Sequence, residues 1–141
     1  MSRPSGFTLL ELMMALAIVA LLASFAVPSY RQHIAQGHRA AAVSALYRAA
    51  HYLETFEGAL PSALPDSLAH APPDGRAVYR LEIRRPNEGA FAAYRIDARP
   101  LDDGPMRDDP CGTFTLRGDG TKGNLRANGE DEWDPACWGV R

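Results

Sequence analysis

Between Phe7 and Tyr30 the chain carries a single charged side chain, Glu11. From Leu9 to Val27 only Glu11 and Ser24 interrupt an apolar run. As a helix, residues 7–27 would extend about 31 Å at ~1.5 Å per residue, close to the hydrocarbon thickness of a bilayer. A helix that is apolar all round cannot be satisfied by packing one stripe on a small domain, so it needs lipid or partner helices. Nearly all the remaining charge lies beyond this segment, so an apolar end is joined to a soluble body.

Pro28 is expected to bend the helix, because it lacks an N–H and crowds the preceding turn. It is not expected to end it. Ala42, Val43, Leu46, Ala49, Ala50, Leu53 and Phe56 recur at helical spacing, with Ser44, Arg48, His51 and Thr55 on the opposite face. This second half is amphipathic, and Gly58 followed by Pro61 is its stop. Residues 59–75 read as a surface loop. Beyond them Tyr79, Leu81 and Ile83 share one face of a strand, and Val78, Arg80, Glu82 and Arg84 the other. Pro86 to Gly89 forms a turn. A second strand then alternates Ala92, Tyr94, Ile96 and Ala98 with outward Arg95 and Asp97. Residues 100–110 form a loop, Thr113–Arg117 a third strand with Phe114 and Leu116 inward, and Lys122–Arg126 a short fourth. The fold class is α+β: one long helix, its second half packed on three or four antiparallel strands.

The net charge is −2, and after residue 60 there are 14 Asp and Glu against 11 Lys and Arg. No global basic field draws in nucleic acid. Arg80, Arg84, Arg85 and Arg95 could make a local basic patch, but Glu82 and Asp97 interleave with them, and cross-strand ion pairs account for them equally well. Asp102, Asp103, Asp108 and Asp109 offer oxygen ligands for calcium without EF-hand spacing, so a solvated acidic loop is the expectation. His33 and His38 do not share a helix face. No arrangement of Ser, Cys or His supports nucleophilic catalysis, and no enzyme activity or cofactor is expected. Cys111 and Cys137 are too few for a Cys₄ zinc site and lack C-x-x-C spacing; in a body outside the cytoplasm they would pair as a disulfide.

Gly6-Phe7-Thr8-Leu9-Leu10-Glu11 leading into the apolar run resembles the type IV prepilin signal, with a short leader carrying Arg3 and a proline at the far end of the run. The resemblance implies cleavage between Gly6 and Phe7 and N-methylation of Phe7 by the prepilin peptidase/methyltransferase. It also implies pairing of Glu11 with the new amine of a neighbouring subunit. Charge logic supports that pairing: an acidic side chain at the centre of a membrane helix costs about 2.5–3.5 kcal/mol, so Glu11 needs a partner. A buried polar pair would also set axial register between otherwise featureless helices. The alternative is an ordinary secretory signal peptide cut after Ser24-Phe25-Ala26; Glu11 inside the apolar core and the continuing helical pattern oppose it.

Tyr30-Arg31, Gly37-His38-Arg39-Ala40, Asp109-Pro110-Cys111-Gly112-Thr113-Phe114-Thr115-Leu116 and the closing Cys137-Trp138 are similar to minor pilins of the PilE-like kind. That resemblance implies residues 1–6 as a removed leader, 7–30 as a transmembrane and filament-core helix, and 31–141 as a periplasmic pilin domain. It implies a Cys111–Cys137 disulfide bounding the C-terminal loop. The implied function is a type IV pilus subunit, a minor pilin that helps start assembly in motility, adhesion or DNA uptake. Its implied partners are other pilins and the inner-membrane assembly platform. Before assembly it sits in the inner membrane, and afterwards in the surface filament. A type II secretion pseudopilin and a DNA-binding minor pilin are the alternatives. The acidic stretch Glu130–Asp134 has no counterpart in the resemblance.

Overall fold

The computed structural model describes residues 6–85 and 93–139. Most of the leader, the Pro86–Gly89 turn and Ala92 lie outside the described residues. The chain divides into two compact units, Met1–Ile34 and Ala35–Arg141. Among the described residues one helix, α1 (Leu9–Thr55, 47 residues), belongs to both and continues through Pro28.

Within the second unit, α1 buries Ala42, Ala45, Leu46, Ala49, Ala50 and Leu53, while Ser44, Arg48 and His51 stay exposed. This is the face the 3.6-residue period predicts. The helix ends at Thr55, whose hydroxyl donates to the carbonyls of His51 and Tyr52 at 3.0 and 3.1 Å. Phe56 therefore falls just past the helix. It stays exposed beside Tyr52, with ring centroids 5.7 Å apart, instead of joining the core.

Among the described residues six strands form one antiparallel sheet in chain order: β1 (His70–Ala71), β2 (Tyr79–Arg84), β3 (Arg95–Pro100), β4 (Thr113–Arg117), β5 (Lys122–Leu125) and β6 (Asp131–Glu132). The four longer strands are those expected from the sequence, the last ending at Leu125 and not at Arg126. β1 and β6 are two residues each, too short to show any period, and they add the edges. Every link joins sequential neighbours, a topology of short connections.

The face toward α1 carries Tyr79, Leu81, Ile96, Ala98, Phe114 and Leu116, all buried. Tyr79 and Phe114 meet edge-on at 6.0 Å, and Phe114 and Trp138 at 5.6 Å, the arrangement that ring quadrupoles favour. Burial holds the Tyr79 hydroxyl well above the usual phenol range, and the nearby Asp109 adds to that.

One assignment differs from the alternation, and one residue on its expected face is buried all the same. Val78 is buried: it precedes β2, donates its N–H to the Ala71 carbonyl and accepts from Leu101, so the strand's period does not govern it. Asp97 points to the outer face as expected but is itself buried, because arginines on β2 and β3 lie over it.

Truncating Phe114 to Ala should cost about 3–5 kcal/mol through lost burial and the cavity left behind. Ile18→Ala, on the exposed half of α1, should leave urea unfolding of the same solubilised chain within about 0.5 kcal/mol of the parent.

Candidate functional site: an apolar helix and an arginine face

Thr8 precedes the first turn of α1, and Glu11 sits three residues on. The Thr8 hydroxyl accepts from the Glu11 N–H at 3.2 Å, while Glu11 Oε2 accepts from the Thr8 N–H and hydroxyl, each at 3.2 Å. This is a reciprocal capping box, which satisfies helix donors that otherwise have no partner. It also places a carboxylate at the positive end of the helix dipole. Sequence reasoning gave Glu11 an intersubunit role alone; the T-x-x-E spacing is the signal that reveals the cap.

Beyond the cap the large apolar side chains from Leu9 to Val27 are all exposed. The helix is long and apolar enough there to cross a membrane. Ser24 does not spoil the run, because its hydroxyl donates to the Leu21 carbonyl at 2.7 Å and is satisfied inside the helix.

The second site is the sheet face turned away from α1. Register puts Arg84 opposite Arg95 and Arg95 opposite Arg117, a row of three arginines straight across three strands. Arg80 opposite Arg99 makes a second row. Glu82, Asp97 and Thr115 lie between the rows, again in register. Like charges directly opposite each other repel, so this pattern needs local relief. Asp97 supplies much of it: Arg95 Nε and Nη2 reach its two oxygens at 2.7 and 2.8 Å, and Arg84 Nε lies 3.6 Å away. The Asp97 hydrogen bond raises the Arg95 pKa further. Glu82 pairs with Arg84 at 3.0 Å, and Asp131 on β6 adds to this, bonding the Thr115 hydroxyl and Arg117 Nη2, each at 3.1 Å. It reaches across β5 because residue 123 is glycine; a Cβ there would run into the Asp131 and Thr115 side chains.

The result is vertically ordered charge. The Asp97 and Asp131 side chains are 8% and 20% exposed, whereas Arg84, Arg99 and Arg117 are 56%, 61% and 42% exposed. Of the arginines expected to cluster, Arg80, Arg84 and Arg95 do so. Arg85 instead donates to the Leu60 carbonyl at 3.2 Å. Arg99 and Arg117 complete the rows and were not foreseen, although Arg95 and Arg99 are four apart and so share a strand face.

The C-terminal strap is held by more than one bond. Cys111 and Cys137 are joined as a disulfide. Fully buried Asn124 donates to the Cys111 carbonyl at 3.0 Å and accepts from the Trp138 indole at 2.9 Å. Arg39 on α1 grips Asp109 through two nitrogens, and Arg126 pairs with Asp134 at 3.1 Å. The acidic loop is similarly engaged: Asp102, Asp103 and Asp108 lie near Arg99, Arg76 and Arg107 at 3.4, 3.8 and 3.1 Å. Trp138 is buried, while Trp133 is half exposed.

A long helix with one naked apolar half, an antiparallel meander and a disulfide-bounded strap make the pilin architecture. Residues 28–115 match the sequence family described as "Type IV minor pilin ComP, DNA uptake sequence receptor", and residues 1–27 match the prokaryotic N-terminal methylation motif. The chain belongs to that type IV minor pilin family. It is similar to a fimbrial protein of Dichelobacter nodosus, 41% identical over 101 residues, covering 69% of this chain and 61% of that protein. It is also similar to a type IV major fimbrial protein, FimA, of the same organism, 41% identical over 70 residues, covering 47% of this chain and 44% of that one. The chain thus spans about half the length of the curated relatives it matches. A solved type IV pilin from Shewanella oneidensis aligns with 71% of this chain and 98% of its own at 22% identity and a TM-score of 0.43.

Asn124→Ala should cost about 1–3 kcal/mol in urea unfolding, because it strands buried groups at both ends of the strap. Trp133→Ala, which removes a half-exposed side chain, should change the same transition by about 0.5 kcal/mol or less.

Proposed function

We propose that the chain is a subunit of a type IV pilus, made as a membrane precursor and used in DNA uptake. The observation that carries this reading is the exposed apolar half of α1, with its one carboxylate at the end next to the Gly6–Phe7 junction. Such a surface is stable only in lipid or among other helices. Cleavage after Gly6 would free an ammonium at Phe7, and the methyltransferase would then modify it. Residues 7–30 would hold the precursor in the inner membrane with residues 31–141 in the periplasm. The same helix would enter the filament core when the assembly platform adds the subunit, with Pro28 bending it to fit.

Glu11 can serve both its own helix and a neighbour. Among the described residues only its Oε2 accepts hydrogen bonds, and a carboxylate offers about four lone-pair positions on two oxygens. Oε1 remains for the Phe7 ammonium of the next subunit. That pairing sets axial register, and it offsets the cost of a charge among apolar helices.

The DNA part of the proposal rests on family membership, since the family is described as a DNA uptake sequence receptor. Net charge of −2 means that any contact must be local, and the arginine face is a local concentration of positive charge on an acidic body.

Peptide mapping of chain taken from membranes and from sheared filaments should show a mature N-terminus at methylated Phe7 in both. A chain starting at Val27 would overturn the filament reading. Glu11→Gln separates the two roles of the carboxylate, because glutamine still closes a capping box but carries no charge. We expect Glu11→Gln to leave membrane levels unchanged and to lower recovery in filaments at least tenfold. Wild-type recovery would reduce Glu11 to a helix cap.

A further inference from the structure

We infer that the groove between the exposed side of α1 and the C-terminal strap receives the segment Glu54–Glu57 of a second copy of this chain, so that bodies join head to tail. The inference rests on the pilus reading and adds to it a contact between bodies.

The groove has a volume of about 1130 Å³. One wall is α1 from Gln36 to His51, with Val43, Tyr47 and Arg48, and the other is the strap, with Ala136 and Trp138. Along the helix it runs about 22 Å at ~1.5 Å per residue. No Asp or Glu lines it, on a chain that has 17 of them. Arg48 is exposed and has no ion-pair partner among the described residues. Lys122 on β5 stands over Tyr47 and Trp138, its Nζ 5.7 Å from each ring centroid, within cation–π range. Both rings belong to the groove, so a held cation stands at its wall. Arg39 also lines it, but Asp109 answers that charge. The occupant that complements such a surface carries an apolar group and unpaired carboxylates.

Beyond residue 34 the large hydrophobic side chains exposed among the described residues are Tyr47, Phe56 and Trp133. Tyr47 is part of the groove. Phe56 has Glu54 and Glu57 beside it, both exposed and neither with an ion-pair partner among the described residues. Its ring leans on Tyr52, with centroids 5.7 Å apart, so it has less freedom to lose on docking. Trp133 fits less well. Asp134 next to it is already paired with Arg126, and Pro135, two residues on, is in the groove's own wall. Docking a group that sits beside its own groove turns two grooves toward each other, the geometry of a closed two-fold pair. A filament of parallel copies needs a heterologous contact, with its two halves apart on the chain. Phe56 lies twelve residues beyond Ser44, in the middle of the groove wall, about 18 Å along the helix axis. A displacement of that size between parallel copies brings the Phe56 of one level with the groove of the next.

Lys122 is the only lysine in the chain, which makes the contact open to a direct test. Carbodiimide joins an amine to a touching carboxylate without a spacer. Applied to sheared filaments, it should give a covalent dimer in which the Lys122 peptide of one copy is linked to the Glu54–Glu57 peptide of another. Glu54→Gln combined with Glu57→Gln should lower the yield of that dimer about tenfold. Phe56→Ala, at an exposed side chain, should lower it about fivefold and leave thermal unfolding of the detergent-solubilised chain unchanged.

If the chain is in filaments but Lys122 forms no link to a second copy, the groove is not a contact between bodies, although the pilus reading stands. A link to Glu130 or Glu132 of a second copy would put the other acidic segment in the groove, and a link to a different protein would replace the second copy; either result overturns the proposal. If the chain is absent from filaments, the pilus reading and this contact fall together.

Discussion

One sheet face has to be covered, and the second half of α1 covers it. The helix presents four alanines, Ala42, Ala45, Ala49 and Ala50, around Leu46 and Leu53. Small side chains let the helix backbone approach the sheet closely, and the bulk then comes from the other side, from Tyr79, Ile96, Phe114 and Trp138. This division of volume is how a two-layer domain reaches the packing density of an organic crystal with a single helix. The sheet's outer face and the strap both depend on it. Among the described residues no second layer covers the strands' outer face, so these side chains are left to water and to each other.

They manage by charge. A row of arginines directly opposite one another would normally destabilise the pairing of β2, β3 and β4. Asp97 and Asp131 turn that repulsion into a lattice in which each carboxylate serves two or three partners. Gly123 is a condition for it, since any side chain there would bar Asp131 from Thr115. The same lattice fixes which charges meet the solvent. Asp97 and Asp131 below, with Arg84, Arg99 and Arg117 above, give a chain of net charge −2 a locally positive face.

The parts of this arrangement that could be read from the chain are those governed by a period. The helix face from Ala42 to Leu53, the inward Tyr79, Leu81, Ile96, Phe114 and Leu116, and strands β2, β3 and β4 follow from spacings of 3.6 and 2. What escaped depended on neighbours distant in sequence. Alternation puts Asp97 on the outer face but carries no sign of its burial, which comes from Arg84 and Arg95 arriving from two strands. Val78 departs from alternation because a turn, not a strand, sets its surroundings. Arg99 and Arg117 joined the arginine rows only once the register between strands was known. β1 and β6 are too short to carry any pattern. The acidic stretch Glu130–Asp134, unexplained in the sequence, resolves into separate duties: Asp131 in the charge lattice, Asp134 with Arg126, and Glu130 with Asn128.

Glu11 shows why a resemblance and a physical reading have to be held together. The resemblance names one partner for it, the amine of another subunit. The geometry adds Thr8, inside the same chain. The two are compatible because they make different demands. A cap needs an acceptor of the right length at the third helical position and is indifferent to charge, so glutamine would do. A partner for an ammonium among apolar helices must be an anion, because only the charge offsets the desolvation of the amine. Glutamate meets both demands at one position. The cap would also hold the carboxylate in place before any neighbour arrived, leaving less side-chain freedom to be lost in the proposed intersubunit pair.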